Sequence, residues 1–213
     1  HLGRAVVGLG PREDEVVGLL LGSGLEDGGH AEAIGAVEAL VHQHEARFGA
    51  HGHFAAHGLL DLRVAQHPSE TMPRLLVRTL AYCLAYEEGI AFSKGGLGAV
   101  EDAPIAVHDP TGLLLHWIEI GAPSAERLHK ASKMGRLSIY THELAQLRRQ
   151  VAGKTIHKAD AIEVWPFDAS FIDALADRVA RRSKLEIARN DGTLYVTLDG
   201  QMTETSLVAT TLT

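Results

Sequence analysis

Leu113 to Ile120 (LLLHWIEI) is an almost unbroken apolar run of eight residues. It is far shorter than a membrane span, and too continuous for a strand with one face in water. A strand covered on both faces needs helices on both sides of its sheet, so this run points to an α/β domain. Gly121-Ala122-Pro123-Ser124 follows, and Ser124 is suited to cap a helix from Ala125 to about Met134. One carboxylate, Glu119, stands inside the run. Buried unpaired it would be costly, so it should meet a metal, a cation or water at the strand's end.

The neighbouring segments continue the alternation. Met72, Leu75, Leu76, Thr79, Leu80, Cys83 and Leu84 follow helical spacing, with Ser69 or Thr71 as cap and Pro73 confined to the first turn. A short strand is expected at Ile90–Ser93, ending in the glycine turn KGGLG. Leu137–Thr141 reads as a strand, Glu143–Ala152 as a helix and Ala161–Phe167 as another strand. A helix follows from Asp168 to Arg182, with Asp168 as its cap. KLEIAR, Asn190-Asp191-Gly192 and TLYVTLDG form a C-terminal β-hairpin. The expected architecture is a mixed sheet flanked by helices, ending in that hairpin.

Composition divides the chain near residue 58. The first 58 residues hold 12 of the 22 glycines, seven of the 13 histidines and no lysine. Only Ala31–Phe48 has helical spacing there, through Ile34, Val37, Leu40 and Val41. The expectation is an atypical Gly/His-rich segment over 1–58, non-native or disordered, followed by one α/β domain over 59–213. Net charge is −7. Residues 1–60 carry three Arg against eight acids, and residues 61–213 carry 17 Lys/Arg against 19. Neither part is broadly basic, so any phosphate-binding surface must be local. The single cysteine, Cys83, lies on an apolar helix face as a small buried hydrophobe and leaves no intrachain disulfide. With no apolar run of about 18 residues and no secretory leader pattern, a cytoplasmic protein without a membrane span is expected.

Several patterns carry no site. His42-Gln43-His44-Glu45 and His51-Gly52-His53 occur in a histidine-rich stretch with no supporting Cys or HExxH. GLG, GSG and KGGLG match neither nucleotide-binding glycine motif, and no G-x-S-x-G is present.

AQHPSET, RLLVRTLAY, WIEIGAP, RLHKASK and IHKADAIEVW, in that order from about Leu60 to about Gly200, resemble the YaeQ family of bacterial proteins. Residues 1–58 do not match the family's start, where the resemblance implies an N-terminal strand pairing into the sheet. The resemblance implies a fold similar to the PD-(D/E)XK nucleases, in which strand acids bind Mg²⁺ and a lysine orients the attacking water. On that basis Glu119 matches the strand acid and Asp102 is the candidate first acid, with Asp109 in HDPTG competing. Two such carboxylates plus water suffice for Mg²⁺, which would activate water and neutralise charge on a phosphate. The superfamily lysine falls at Gly121, and Lys130 on the following helix is the candidate replacement.

Arg74 and Arg78, one turn apart, are candidate phosphate contacts, although such pairs more often lie over carboxylates. Glu70 is a possible further acid, and His67 a cap or a ligand. Two functions follow: a metal-dependent phosphodiesterase acting on nucleic acid, or a non-catalytic module binding nucleic acid or protein on the same fold. Gly121, Ala103 in place of an acid and the acidic balance favour the second.

Overall fold

The computed structural model describes residues 34–43, 58–67, 69–93, 101–180 and 183–212. In chain order the elements are β1 (Ile34–Gln43), β2 (Gly58–Ala65), α1 (Met72–Leu84), β3 (Ile90–Phe92), β4 (Ile105–His108) and β5 (Leu114–Ile120). They continue with α2 (Ala125–Ala131), β6 (Arg136–Thr141), α3 (Leu144–Val151), β7 (Glu163–Pro166), α4 (Ala169–Ala176), β8 (Leu185–Asn190), β9 (Thr193–Leu198), β10 (Gln201–Ser206) and β11 (Thr210–Thr211). The KGGLG turn, His44-Glu45 and His51-Gly52-His53 lie outside the described residues. The described residues form two compact units, one from the residues up to Met72 with 173–206, the other from 73–172 with 207–212.

The first unit holds a five-stranded sheet in the order β10-β9-β8-β1-β2. Within Ala31–Phe48, the stretch whose spacing could hold a helix, residues 34–43 instead form a strand. β1 pairs antiparallel with β2 and parallel with β8. Pairing on both sides satisfies its backbone, and that outweighs the helical spacing of four apolar residues. A strand paired on both sides therefore lies inside residues 1–58. The C-terminal hairpin is present and extended by a third strand. Its two turns use the same chemistry, Asp191-Gly192 (φ +46°, +81°) and Asp199-Gly200 (φ +50°, +81°). Positive φ at both central residues matches the right-handed twist of the strands.

The second unit carries the apolar run in a mixed six-stranded sheet ordered β11-β7-β6-β5-β4-β3. β5, β6 and β7 are parallel and the other pairings antiparallel. Trp117 and Glu119 share one face, opposite Leu137 and Ile139 of β6. On that face Leu128 and Ala131 of α2 and Leu147 of α3 pack with Trp117, Ile139 and Val164. α1 serves the other face. Its Tyr82 stacks on Phe92 with ring centroids 4.4 Å apart, and Phe92 registers with Ile105, which registers with Ile118. Helices on both faces explain why β5 is apolar almost throughout.

Candidate functional site

The site candidates gather where β5 ends and α2 begins. Ser124 caps α2 as expected, its hydroxyl accepting from the Arg127 backbone N–H at 3.3 Å. Arg127 is thus in the first helical turn, and helix side chains lean toward the N-terminus, back over the strand end. Its Nε donates to Glu119 Oε1 at 2.6 Å and its Nη2 to the main-chain carbonyl of Asp102 at 2.8 Å. Its guanidinium lies 5.5 Å from the Trp117 ring centroid. Trp117, two residues before Glu119 on the same face, donates its indole N–H to the same Oε1 at 2.7 Å.

Glu119 is 2% exposed, so this is a buried charge whose compensation comes from within the fold. Burial pushes its carboxyl above the usual range, while Arg127, the Trp117 indole and Arg74 pull it down.

The remaining candidates occupy different surroundings. Asp102 is exposed and enters the cluster through its carbonyl. Lys130, one turn beyond Arg127, is ion-paired with Glu101 on the surface. Asp109 closes the turn between β4 and β5, its carboxylate accepting from the Thr111 hydroxyl and from the Thr111 and Leu113 N–H groups. Those bonds, the hydroxyl first, hold its carboxyl below the ordinary value. Arg74 donates from Nη1 to the Ile120 carbonyl at 2.9 Å, and the buried Arg78 guanidinium lies 5.3 Å from the Phe92 ring centroid. In the other unit, Glu70 is buried and its carbonyl accepts from Gln66, while His67 bonds Ser69 through its ring. Among the described residues no three His, Cys, Asp or Glu side chains come together as a metal-holding group.

Gly121 has a physical reason to be glycine. Its φ is +84°, and a Cβ there would lie 2.7 Å from Arg74 Nη1 and 3.2 Å from Glu143 Oε2. The position two residues beyond the strand acid is therefore filled from α1 by a guanidinium. Gly121→Ala should lower stability by about 2–3 kcal/mol, roughly 1–2 from the left-handed backbone and about 1 from the displaced Arg74 bond. Gly112→Ala, with similar φ and nothing within 4 Å, carries the backbone cost alone. Urea midpoints of the two variants separate the contributions.

The family model described as YaeQ protein matches residues 50–207. The chain belongs to the YaeQ family. An uncharacterised YaeQ protein of Escherichia coli K12 is 28% identical over 152 residues, covering 70% of this chain and 83% of the relative. One from Salmonella typhi is 31% identical over 140 residues, covering 63% and 76%. The crystal structure of the YaeQ protein from Pseudomonas syringae superposes with a TM-score of 0.66 at 25% identity, over 85% of this chain and 96% of that one. That from Xanthomonas axonopodis pv. citri gives 0.64 at 23%, over 83% and 96%. The match therefore reaches over most of the solved YaeQ chains, and the mixed α/β fold is theirs as well. Among the described residues no helix is long and apolar enough to cross a membrane.

Arg127 was not among the residues singled out from the sequence, where Lys130 was the candidate for the superfamily's lysine. The signal was available: with Ser124 as cap, the third helical residue leans over the strand end, whereas Lys130 begins the next turn.

Proposed function

We propose that this YaeQ protein is a non-catalytic binding module on a sheet resembling the PD-(D/E)XK core, with nucleic acid as its partner. The observation that carries the reading is the Arg127–Glu119–Trp117 cluster. In a metal-dependent phosphodiesterase the strand acid holds its carboxylate open to a divalent ion. Here Oε1 of Glu119 already accepts two hydrogen bonds, one from a full positive charge. Asp102 offers the cluster its main-chain carbonyl. As arranged, Asp102 and Glu119 do not fit Mg²⁺, because the charge an ion would neutralise is met by Arg127. Likewise Lys130, the candidate for orienting water, is engaged with Glu101. Glu119 is then a brace that locks the end of β5 to the first turn of α2.

A cleavage assay tests this. The full chain is incubated with labelled single- and double-stranded DNA and RNA in Mg²⁺ or Mn²⁺, alongside Glu119→Gln. The expected outcome is intact nucleic acid with both proteins. Metal-dependent cleavage by the wild type, lost in Glu119→Gln with folding retained, would establish the phosphodiesterase reading in its place.

A further inference from the structure

Charge is distributed very unevenly along this acidic chain. Residues 127–158 carry eight Lys/Arg against one acid, Glu143, whereas the other 181 residues carry twelve against 26. Three of the eight cations are engaged inside the second unit: Arg127 with Glu119, Lys130 with Glu101, and Arg136 with Glu87. The other five, Lys133, Arg148, Arg149, Lys154 and Lys158, are exposed. Among the described residues none of the five has an acidic partner.

The topology collects them. β5, β6 and β7 are parallel, so the crossover helices α2 and α3 both run back against the strands and end on the same side of the sheet. Both pack on the Trp117 face. Lys133 follows the end of α2, Arg148 and Arg149 are in the last turn of α3, and Lys154 and Lys158 lie in the loop beyond it. The His129 ring donates from Nδ1 to the Thr155 carbonyl at 3.3 Å, which holds that loop against α2. Cations in a last turn complement the helix dipole, which accounts for Arg148 and Arg149. It does not account for Lys133, Lys154 or Lys158, which stand past the helix ends. Lys158 also holds a left-handed backbone (φ 47°), a conformation a lysine adopts at a cost relative to glycine.

We propose that this basic face, formed where α2 and α3 end, binds the sugar-phosphate backbone of nucleic acid. The inference rests on the non-catalytic reading above and gives that module its contact surface. Unpaired, exposed cations on an otherwise acidic molecule supply a local field for a polyanion. The exposed positions of α3 are Ala145, Gln146, Arg148, Arg149 and Gln150, which offer charge and hydrogen bonds but no large apolar side chain for a lipid surface. With no exposed aromatic in this stretch, recognition is by backbone charge and independent of base sequence.

Fluorescence anisotropy on the full chain with labelled DNA and RNA oligonucleotides provides the test. Binding should be indifferent to base sequence. If about four phosphates are neutralised, affinity falls roughly 100-fold between about 50 and 200 mM salt. Lys154→Glu combined with Lys158→Glu should weaken binding at least about tenfold and reduce the salt slope by about two. Lys184→Glu, in the other unit, should leave binding unchanged. Salt-insensitive binding, an unaffected double variant, or capture by vesicles of acidic phospholipid in preference to oligonucleotide would overturn the proposal. Metal-dependent cleavage of the oligonucleotide would overturn the non-catalytic reading and leave this surface standing. No binding with no cleavage overturns this surface and the nucleic-acid partner, and leaves standing only the non-catalytic reading of the Glu119 cluster.

Discussion

Arg127→Met is expected to lower the unfolding free energy by about 3–5 kcal/mol at neutral pH, the cost of leaving a buried charge without its partner. Glu119 is 2% exposed, and the Arg127 guanidinium donates to its carboxylate at 2.6 Å. The Trp117 N–H remains in the variant, but a neutral donor replaces little of a guanidinium. Methionine keeps the aliphatic stem over the Trp117 ring, so the loss is charge and hydrogen bonding more than packing.

The pH dependence follows from the direction of the Glu119 shift. Its carboxyl is raised in the folded state by burial, so folding is favoured at low pH and loses ground as pH rises through the folded value. Without Arg127 the carboxyl rises further, so the deficit of Arg127→Met should shrink as pH falls toward the usual carboxylate range. By contrast Lys130→Met, which breaks a surface pair, should cost at most about 1 kcal/mol. Both tryptophans, Trp117 and Trp165, lie in the second unit, so their fluorescence during urea unfolding reports that unit directly.

His116 should make the protein acid-sensitive well above the carboxylate range. It is buried on the face of β5 opposite Glu119, with Nδ1 2.7 Å from Arg136 Nη2 and Nε2 2.8 Å from Ser138 Oγ. A guanidinium has only donors, so Nδ1 must accept, and the ring is the neutral tautomer carrying its proton on Nε2 toward Ser138. Glu87 Oε1, 3.4 Å from the same Nδ1, therefore pairs with Arg136 at 2.6 Å and makes no ion pair with the ring. Burial first, then the Arg136 charge, pulls the imidazole from 6.5 down to about 3.

Between those values the unfolded chain takes up a proton that the folded one refuses. Stability is thus fully present above about pH 6.5 and drains away as pH falls toward 3, by at most roughly 4 kcal/mol. Glutamine can accept from Arg136 and donate to Ser138 without titrating. His116→Gln should therefore flatten the urea midpoint between about pH 6.5 and 4. An unchanged profile would mean that the ring is protonated in the folded protein.

Much of this fold can be read from the chain because local and global signals agree. The run Leu113–Ile120, the Ser124 cap, the Asp168 cap and the Asp191-Gly192 turn each specify an element by one mechanism, and each is found. What could not be read depended on pairing at a distance. Residues 34–43 carry helical spacing but become a strand because β2 and β8 flank them. β4 is a short run, Ile105–His108, with too few residues for any period to show.

At the site, Glu119 stood out because a carboxylate inside an apolar run demands compensation. The cation that meets it, Arg127, was not among the candidates, although its place in the first turn after the Ser124 cap leans it over the strand end. The basic face was hidden by averaging. Counted over residues 61–213 the charges nearly cancel, while residues 127–158 alone carry eight cations against one acid.

A double-mutant cycle between Glu119 and Arg127 tests the structural role of the buried acid most directly. Urea unfolding by tryptophan fluorescence, in excess chelator, would compare wild type, Glu119→Gln, Arg127→Met and the double variant. A coupling free energy of at least about 2 kcal/mol is predicted, with Glu119→Gln restoring most of what Arg127→Met loses. Coupling below about 0.5 kcal/mol, with Glu119→Gln as stable as wild type or more so, would contradict the account and leave Glu119 a carboxylate held in reserve for a ligand.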